Sequence, residues 1–325
     1  MTFDHTRNNN DLDTVIVICG PTASGKSALA VKLAQELFEQ GFAPNGAEIV
    51  SADSMQIYRS LDIGTAKITA EESSGIKHHM IDICAPHEYY SVAQYKKDAT
   101  EAIRDIQNRN KKAIVCGGTG QYLSALIEGI EFSETPVNVE LRASLNKRAD
   151  EQGLEDMLAE LMLLDPETAF KLSISDRKRI IRAHEIITTI GKTPTQINKE
   201  SKLKGPDFSF KAYCLSPDRE LLYERINART IEMLKNGWID ETKMVLMAGI
   251  PDNCTSMQAI GYRQIISFLH GDRTLEEITA DIQQATRRYA KRQLTWFRKI
   301  PQLKWLNSDY DNALQFIMKD LQSKI

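Results

Sequence analysis

The chain has 325 residues, 42% of them hydrophobic and 26% charged, with a formal net charge of −3. That is enough chain for one large domain or two modest ones around a core that needs no staples. It excludes a collagen-like, low-complexity or disulfide-framework protein, and a slightly acidic total gives no general attraction for nucleic acid, so any such partner would need a local basic surface. In chain order, "TVIVIC" (Thr14 to Cys19) is a β-branched apolar run ending at glycine and reads as a buried strand. "SALAVKLAQELFEQ" then has apolar residues at helical spacing. "AEIVS", "HMIDI", "AIVCGG" and "KAYCLS" read as further strands, with helical stretches such as "SVAQYKKDATEAIRDIQNRN" between them. Strands alternating with helices predict an α/β fold, a mostly parallel sheet covered by helices.

From about Pro136 to Lys204 the strand signal stops. "VELRASLNKRADEQ", "LEDMLAELMLLD" and "SDRKRIIRAHEIITTIG" all read as helices, and "KLKGPDF" as a return linker. The expected organisation is a polar tail over 1–13, a core of 14–135 and 206–325, and a helical insertion domain over 136–205. From Asp218 onward the pattern is largely helical. The five cysteines are scattered with no C-x-x-C pair, so neither a zinc site nor disulfides are expected. The polar N-terminus lacks an apolar signal core, and no apolar run nears the roughly 20 residues of a membrane span. A cytoplasmic monomer with no membrane partner is the expectation.

"GPTASGKS" (Gly20, Pro21, Thr22, Ala23, Ser24, Gly25, Lys26, Ser27) fits G-x-x-x-x-G-K-[ST] between a predicted strand and a predicted helix. Its glycines let backbone N–H groups wrap an anion, Lys26 adds a point charge, and Ser27 can hold a Mg²⁺ that bridges phosphate oxygens. The loop makes the core P-loop-containing and leaves triphosphate and diphosphate open as ligands. Asp53 follows the second strand, where open α/β sheets place ligands. It can bind Mg²⁺ through water, accept a substrate proton as general base, or belong to a helix N-cap, for which Ser51, Asp53 and Ser54 all qualify. Thr65 and Lys67 in "DIGTAK" are polar groups for the same cleft.

The segment "RRYAKRQLTWFRK", wound at about 100° per residue, places Arg287, Arg288, Lys291, Arg292, Thr295, Arg298 and Lys299 on an arc of about 140°. Six of these seven are basic and none is acidic, the form of a phosphate-tracking stripe. Tyr289, Ala290, Gln293, Leu294, Trp296 and Phe297 fall on the opposite, core-facing side. In "SDRKRIIRAHEI", Ser175 reads as an N-cap, with Arg179 and Arg182 on one face. His78 and His79 are adjacent on a strand, point to opposite faces and read as structural rather than as a metal pair. Arg225 and Arg229 in "YERINARTIEML" read from spacing alone as a solvated helix face.

Seven motifs, "GPTASGKS", "SADSMQIYRSLDIGTAK", "HHMIDI", "GGTGQYL", "DRKRIIRAHEI", "SMQAIGYRQ" and "TRRYAKRQLTWFRK", stand in the order found in the tRNA dimethylallyltransferases, which the chain resembles from about Thr14 to Trp305. The resemblance implies transfer of a dimethylallyl group from dimethylallyl diphosphate to the N6 amine of the adenosine 3′-adjacent to the anticodon of tRNA. The loop would then hold the diphosphate leaving group with Mg²⁺ as cofactor, and Asp53 would be the general base. Lys26, Thr119 and Arg229 would complete the catalytic set, Arg229 reaching the diphosphate. The tRNA-contacting positions that match are Asp53, Ser54, Met55, Gln56, Thr119, Arg142, Lys178, Arg179, Arg182, Gln258, Gly261, Tyr262 and Arg263. Lys178 and Gln258 stand where some relatives carry glutamine and arginine, and Tyr262 is open between a stacked base and the core. The basic stripe (Arg288, Lys291, Arg292, Arg298) joins this surface on its own pattern. No C-terminal Cys/His finger spacing is present, which matches the short bacterial form. A P-loop kinase acting on a small molecule or nucleotide is the alternative, and a non-catalytic RNA-binding protein the third reading.

Overall fold

The computed structural model describes residues 13–130, 138–307 and 310–323; the predicted N-terminal tail lies outside them, Asp13 excepted. Strands β1 (Val15–Cys19), β2 (Ala47–Ser51), β3 (His78–His79), β4 (Lys112–Gly117), β5 (Phe210–Ser216) and β6 (Leu303–Asn307) form one sheet in the order β3-β2-β4-β1-β5-β6. Every neighbouring pair is parallel. Every residue of β1, β2 and β4 is buried, as a parallel sheet covered on both faces requires. Cys19 pairs with both Gly117 and Cys214, and Ser51 with Cys116. The carboxyl ends of β1, β2, β4 and β5 therefore open onto one edge, with β4 inserted between β1 and β2. That reversal of strand order is where open α/β sheets bind ligands.

The helices are α1 (Lys26–Glu39), α2 (Ala70–Ser73), α3 (Val92–Asn108), α4 (Gly120–Ile127), α5 (Val139–Glu151), α6 (Leu154–Leu164), α7 (Pro166–Ala169), α8 (Arg177–Ile190), α9 (Pro194–Lys204), α10 (Arg219–Lys235), α11 (Trp238–Met247), α12 (Tyr262–Leu269), α13 (Leu275–Phe297) and α14 (Tyr310–Gln322). Two compact units result. The first holds the described residues up to Ser91 with Tyr95–Ile127 and those from Asp207 on, and the second Val92–Gln94 with those of Glu128–Pro206. The second unit begins before the expected Pro136. Gly129 explains part of this. At φ +68° it lies against Gly205, whose carbonyl oxygen would be 2.2 Å from an added Cβ.

In the first unit, Ile16, Ile18, Ile49 and Ile114 pack with Leu29, Leu33 and Leu37 of α1 and Leu314, Ile317 and Met318 of α14. Each such side chain contributes roughly 1.5–3 kcal/mol on burial. A second cluster gathers Ile57, Tyr58, Leu61, Trp238, Tyr262, Ile265, Ile278 and Ile282 around α11 to α13. The second unit closes its own core with Leu145, Met157, Ile180 and Ile181. Its α7 and α9 are tied by buried Asp165, which accepts from the backbone and hydroxyl groups of both Thr168 and Thr195. Among the described residues no helix is long and apolar enough to cross a membrane.

Three local expectations change. The strand expected over "HMIDI" ends at His79, because Met80 and Asp82 take positive φ (62° and 57°) and turn the backbone away. β6 was not expected. It is an edge strand with Lys304 and Trp305 exposed, recruited by pairing with β5. The helix α8 starts after Asp176, not Ser175, whose hydroxyl instead meets that of Ser173. The structural reading of the histidine pair fits the geometry. His78 Nδ1 lies 2.9 Å from the Ile76 carbonyl and His79 Nε2 2.7 Å from buried Glu48.

Candidate active site

The loop after β1 is shaped by sequence. Ala23 and Gly25 take positive φ (62° and 87°), and Gly25 is the N-cap of α1 without a side-chain cap. No side chain caps the start of α1, and a helix N-terminus favours an anion. Lys26 lines the cavity and donates to the Pro21 carbonyl at 3.4 Å. Burial pushes its ammonium below the ordinary lysine value, with the Asp53 charge acting in the opposite direction. Ser27 is exposed at the loop.

Asp53 stands beyond the end of β2. The N-cap alternative does not hold, because no helix follows: Met55 N–H donates to Asp53 Oδ1 at 2.9 Å in an Asx-type turn. Thr119, on the turn after β4, accepts from Ser54 N–H at 2.9 Å, and its own N–H reaches the Ala52 carbonyl at 3.0 Å. Gly117 allows this crossing, since an added Cβ would lie 2.2 Å from the Ala52 carbonyl oxygen. The Gln56 Nε2 donates to the carbonyls of Thr65 and Ala66, which braces the 61–66 loop. The same loop is held from the other side by Glu241, which accepts the N–H groups of Asp62, Ile63 and Gly64 at 2.7, 2.7 and 3.0 Å. Lys67, expected in the cleft, is instead folded onto the Tyr58 carbonyl, Asp62 and Asp82.

One cavity of about 400 Å³ gathers these pieces, a size in the range of small-molecule sites. Thr22, Ala23 and Lys26 form its phosphate-loop wall, Asp53, Ser54, Met55 and Thr65 the next, and α10 and α13 supply Arg229, Thr230, Met233, Tyr289, Arg292 and Gln293. Arg229 lines it and Arg225, one turn earlier, is exposed. Burial lowers the Arg229 guanidinium against the pull of Asp53. Tyr289, placed with the core from its periodicity, reaches the cavity: burial and the nearby Asp53 charge raise its phenol, with Thr119 and Gln293 acting in the opposite direction. Its signal was a polar set, Thr286, Tyr289 and Gln293, on the arc facing inward.

Gln258 and Arg263 are exposed residues at the cavity wall. Their neighbours are not. Tyr262 is 0% exposed and donates to Glu241 at 2.6 Å. Gly261 is buried with an added Cβ 1.8 Å from the Trp238 ring. Both positions expected to contact tRNA are therefore buried in the core. On α13 the exposed face carries Arg288, Lys291, Arg292 and Thr295, with Arg298 at the C-cap and Lys299 beyond it. Arg287 leaves the stripe to bond Asn227 at 2.6 Å. Trp296, expected in the core, is 38% exposed: its ring covers Gly120 and its Nε1 donates to Ser124 at 3.0 Å.

In the second unit Arg142 and Arg182 both donate to Oε2 of Glu185, at 2.9 and 2.8 Å, and this carboxylate is only 1% exposed. Lys178 and Arg179 are exposed on the same helix, Arg179 with its guanidinium 3.6 Å from Asp176. The sequence reading missed Glu185, whose position three residues after Arg182 was its only mark.

A phosphate loop, a carboxylate and a cationic helix around one cavity define a P-loop α/β protein equipped for transfer from a phosphorylated donor. The IPP transferase family matches residues 56–300. The chain is 43% identical to the tRNA dimethylallyltransferase of Acetivibrio thermocellus over 96% of this chain and 97% of that protein. A relative of the same name from Caldanaerobacter subterraneus is 43% identical over 96% and 98%. Among solved structures, the tRNA isopentenylpyrophosphate transferase of Bacillus halodurans superposes with a TM-score of 0.68 at 37% identity, covering 96% of this chain and 98% of that one. A eukaryotic dimethylallyltransferase acting on tRNA superposes with a TM-score of 0.73 at 28% identity, covering 91% and 74%. The chain belongs to the IPP transferase family.

Proposed function

We propose that this protein is a tRNA dimethylallyltransferase that moves a dimethylallyl group from its diphosphate to the N6 amine of the adenosine 3′-adjacent to the anticodon. The observation that carries this reading is the shared cavity: Lys26, Arg229 and Asp53 all line it, and Arg292 of the basic face of α13 borders it. An aromatic amine is a weak nucleophile because its lone pair is delocalised. Asp53 takes a proton from N6 as the C–N bond forms, while the allylic C–O bond breaks and its electron pair leaves on diphosphate. Lys26, the loop N–H groups and Arg229 meet the charge that develops on that leaving group.

Among the described residues no three His, Cys, Asp or Glu side chains cluster to hold a metal. The donor set present, one serine hydroxyl beside an anion cradle, fits Mg²⁺, which keeps most of its shell as water and phosphate oxygens. Ser27 would hold it, and when bound it would add countercharge at the diphosphate. In the first unit Gln258, Arg263 and the exposed face of α13 would contact RNA; in the second, exposed Lys178 and Arg179 and the half-buried Arg142 and Arg182 would do so. The five free cysteines fit a reducing compartment.

The test offers the protein unmodified tRNA with either dimethylallyl diphosphate or ATP, followed by mass analysis of the tRNA nucleosides. A dimethylallyl-sized gain on adenosine with the first donor alone is expected. Phosphoryl transfer from ATP, or no gain with either donor, overturns the reading.

A further inference from the structure

We propose that Gln293 is a positioning residue that fixes the distance between the two halves of the cavity, the diphosphate half and the nucleobase half. The inference rests on the transferase reading above. Gln293 comes from the inward arc of α13 and is 5% exposed. Its Oε1 accepts Thr22 N–H at 2.9 Å, and its Nε2 donates to the Gly118 carbonyl at 2.8 Å. Thr22 belongs to the phosphate loop after β1. Gly118 opens the turn after β4, the strand beside β1. The next residue, Thr119, is bonded to Ser54 and Ala52, which flank Asp53. One amide thus spans from the anion cradle to the turn that braces the carboxylate.

An amide suits both partners here. A backbone donor faces one end and a backbone acceptor the other, and a primary amide offers an acceptor oxygen and a donor nitrogen side by side on one side chain. The partners also assign which end is oxygen. An apolar side chain would fill the same space and strand two polar groups. The fit is close, since a Cβ on Gly118 would come within 2.4 Å of Gln293 Nε2. The residue lies next in sequence to Arg292, so the helix that presents cations to RNA is the one that clasps both substrate halves. Displacing a diphosphate by an amine needs nucleophile, carbon and leaving oxygen held in line. A misplacement of about 1 Å can cost about 10²-fold in rate.

Gln293→Met keeps volume and loses both bonds. Gln293→Glu keeps the acceptor for Thr22 but opposes oxygen to oxygen at Gly118. Gln293→Asn keeps the amide and shortens its reach, and it stands in if the Met variant does not fold. Transfer to tRNA is measured well below each variant's Tm, with kcat and KM resolved for both substrates. The expected result is kcat lower by about 10- to 100-fold, with both KM values within about threefold of the parent. A purely structural role lowers Tm and leaves kcat near the parent's; that outcome overturns the proposal, as does a higher KM with kcat unchanged. A parent protein that transfers nothing to tRNA would instead refute the transferase reading.

Discussion

At Asp53, one carboxylate oxygen is committed to the Met55 amide, which orients the side chain while it lines the cavity. In the proposed role of proton acceptor it should be needed for turnover and not for holding RNA. Asp53→Asn is expected to lower kcat by about 10²- to 10⁴-fold with tRNA affinity little changed, measured by single-turnover transfer beside a binding titration. Lys26 has the opposite character. Its ammonium is held below the ordinary value of 10.5 by burial, so the free protein carries a cost while Lys26 is charged, and that cost eases as pH rises. The ligand's negative charge reverses the balance. Diphosphate affinity should therefore fall as pH rises through the lowered Lys26 value, beginning below the usual lysine range. Lys26→Met should bind more weakly and lose that alkaline limb, as isothermal titration of diphosphate across pH would read. Both residues could be named from their motifs. Tyr262 and Gly261 could not be placed that way, because burial behind Trp238 is set by how α11 and α12 pack.

At the scale of elements, α13 carries exposed cations on one face and cavity-lining residues on another. Thr274 opens it with a capping box through Glu277, worth about 1 kcal/mol. Periodicity divided its outward cations from its inward face. Arg288 and Lys291 are exposed and stand outside the cavity lining, whereas Arg292 also borders the cavity and lies over the Tyr289 ring at 5.6 Å. Arg288→Gln should then weaken tRNA binding and reduce the slope of log affinity against log salt by up to about 0.7–0.9, with kcat at saturating tRNA nearly unchanged. Arg292→Gln should alter catalysis as well. Identical salt titrations for parent and Arg288→Gln would remove this face from the RNA path. Helical spacing ranks every inward position alike, so it could not separate Ala290, which is core, from Tyr289 and Gln293, which serve the cavity.

Across the whole molecule, distant segments meet at polar anchors that the linear order conceals. Glu48 on β2 is 2% exposed and accepts from Arg109, Lys111 and His79. The Arg109 bonds, ahead of those from Lys111 and His79, hold its carboxyl well below the usual carboxylate range. A depressed carboxylate contributes stability that is present above its unfolded value of about 4.5 and is lost as pH falls through the folded one. Glu48→Gln should lower stability at neutral pH by about 3 kcal/mol, since it leaves a cluster of cations around a neutral group. It should also flatten the dependence of stability on pH below about 4.5, as urea melts from neutral to acid pH would show; equal slopes in parent and variant would place the acid sensitivity elsewhere. By itself the sequence determined the alternation of strands and helices, the phosphate loop, the carboxylate after β2 and the cationic stripe. Each of these is a local pattern: a run of β-branched residues, a spacing of glycines, a period of charges. Only the tertiary structure decided that β6 joins the sheet edge, that Glu241 and Glu185 anchor partners up to 179 residues away, and that Gln293 meets Thr22 across 271 residues of chain. Such contacts depend on how whole elements stack, and a buried hydrogen bond between distant groups leaves no period in the residues around either end.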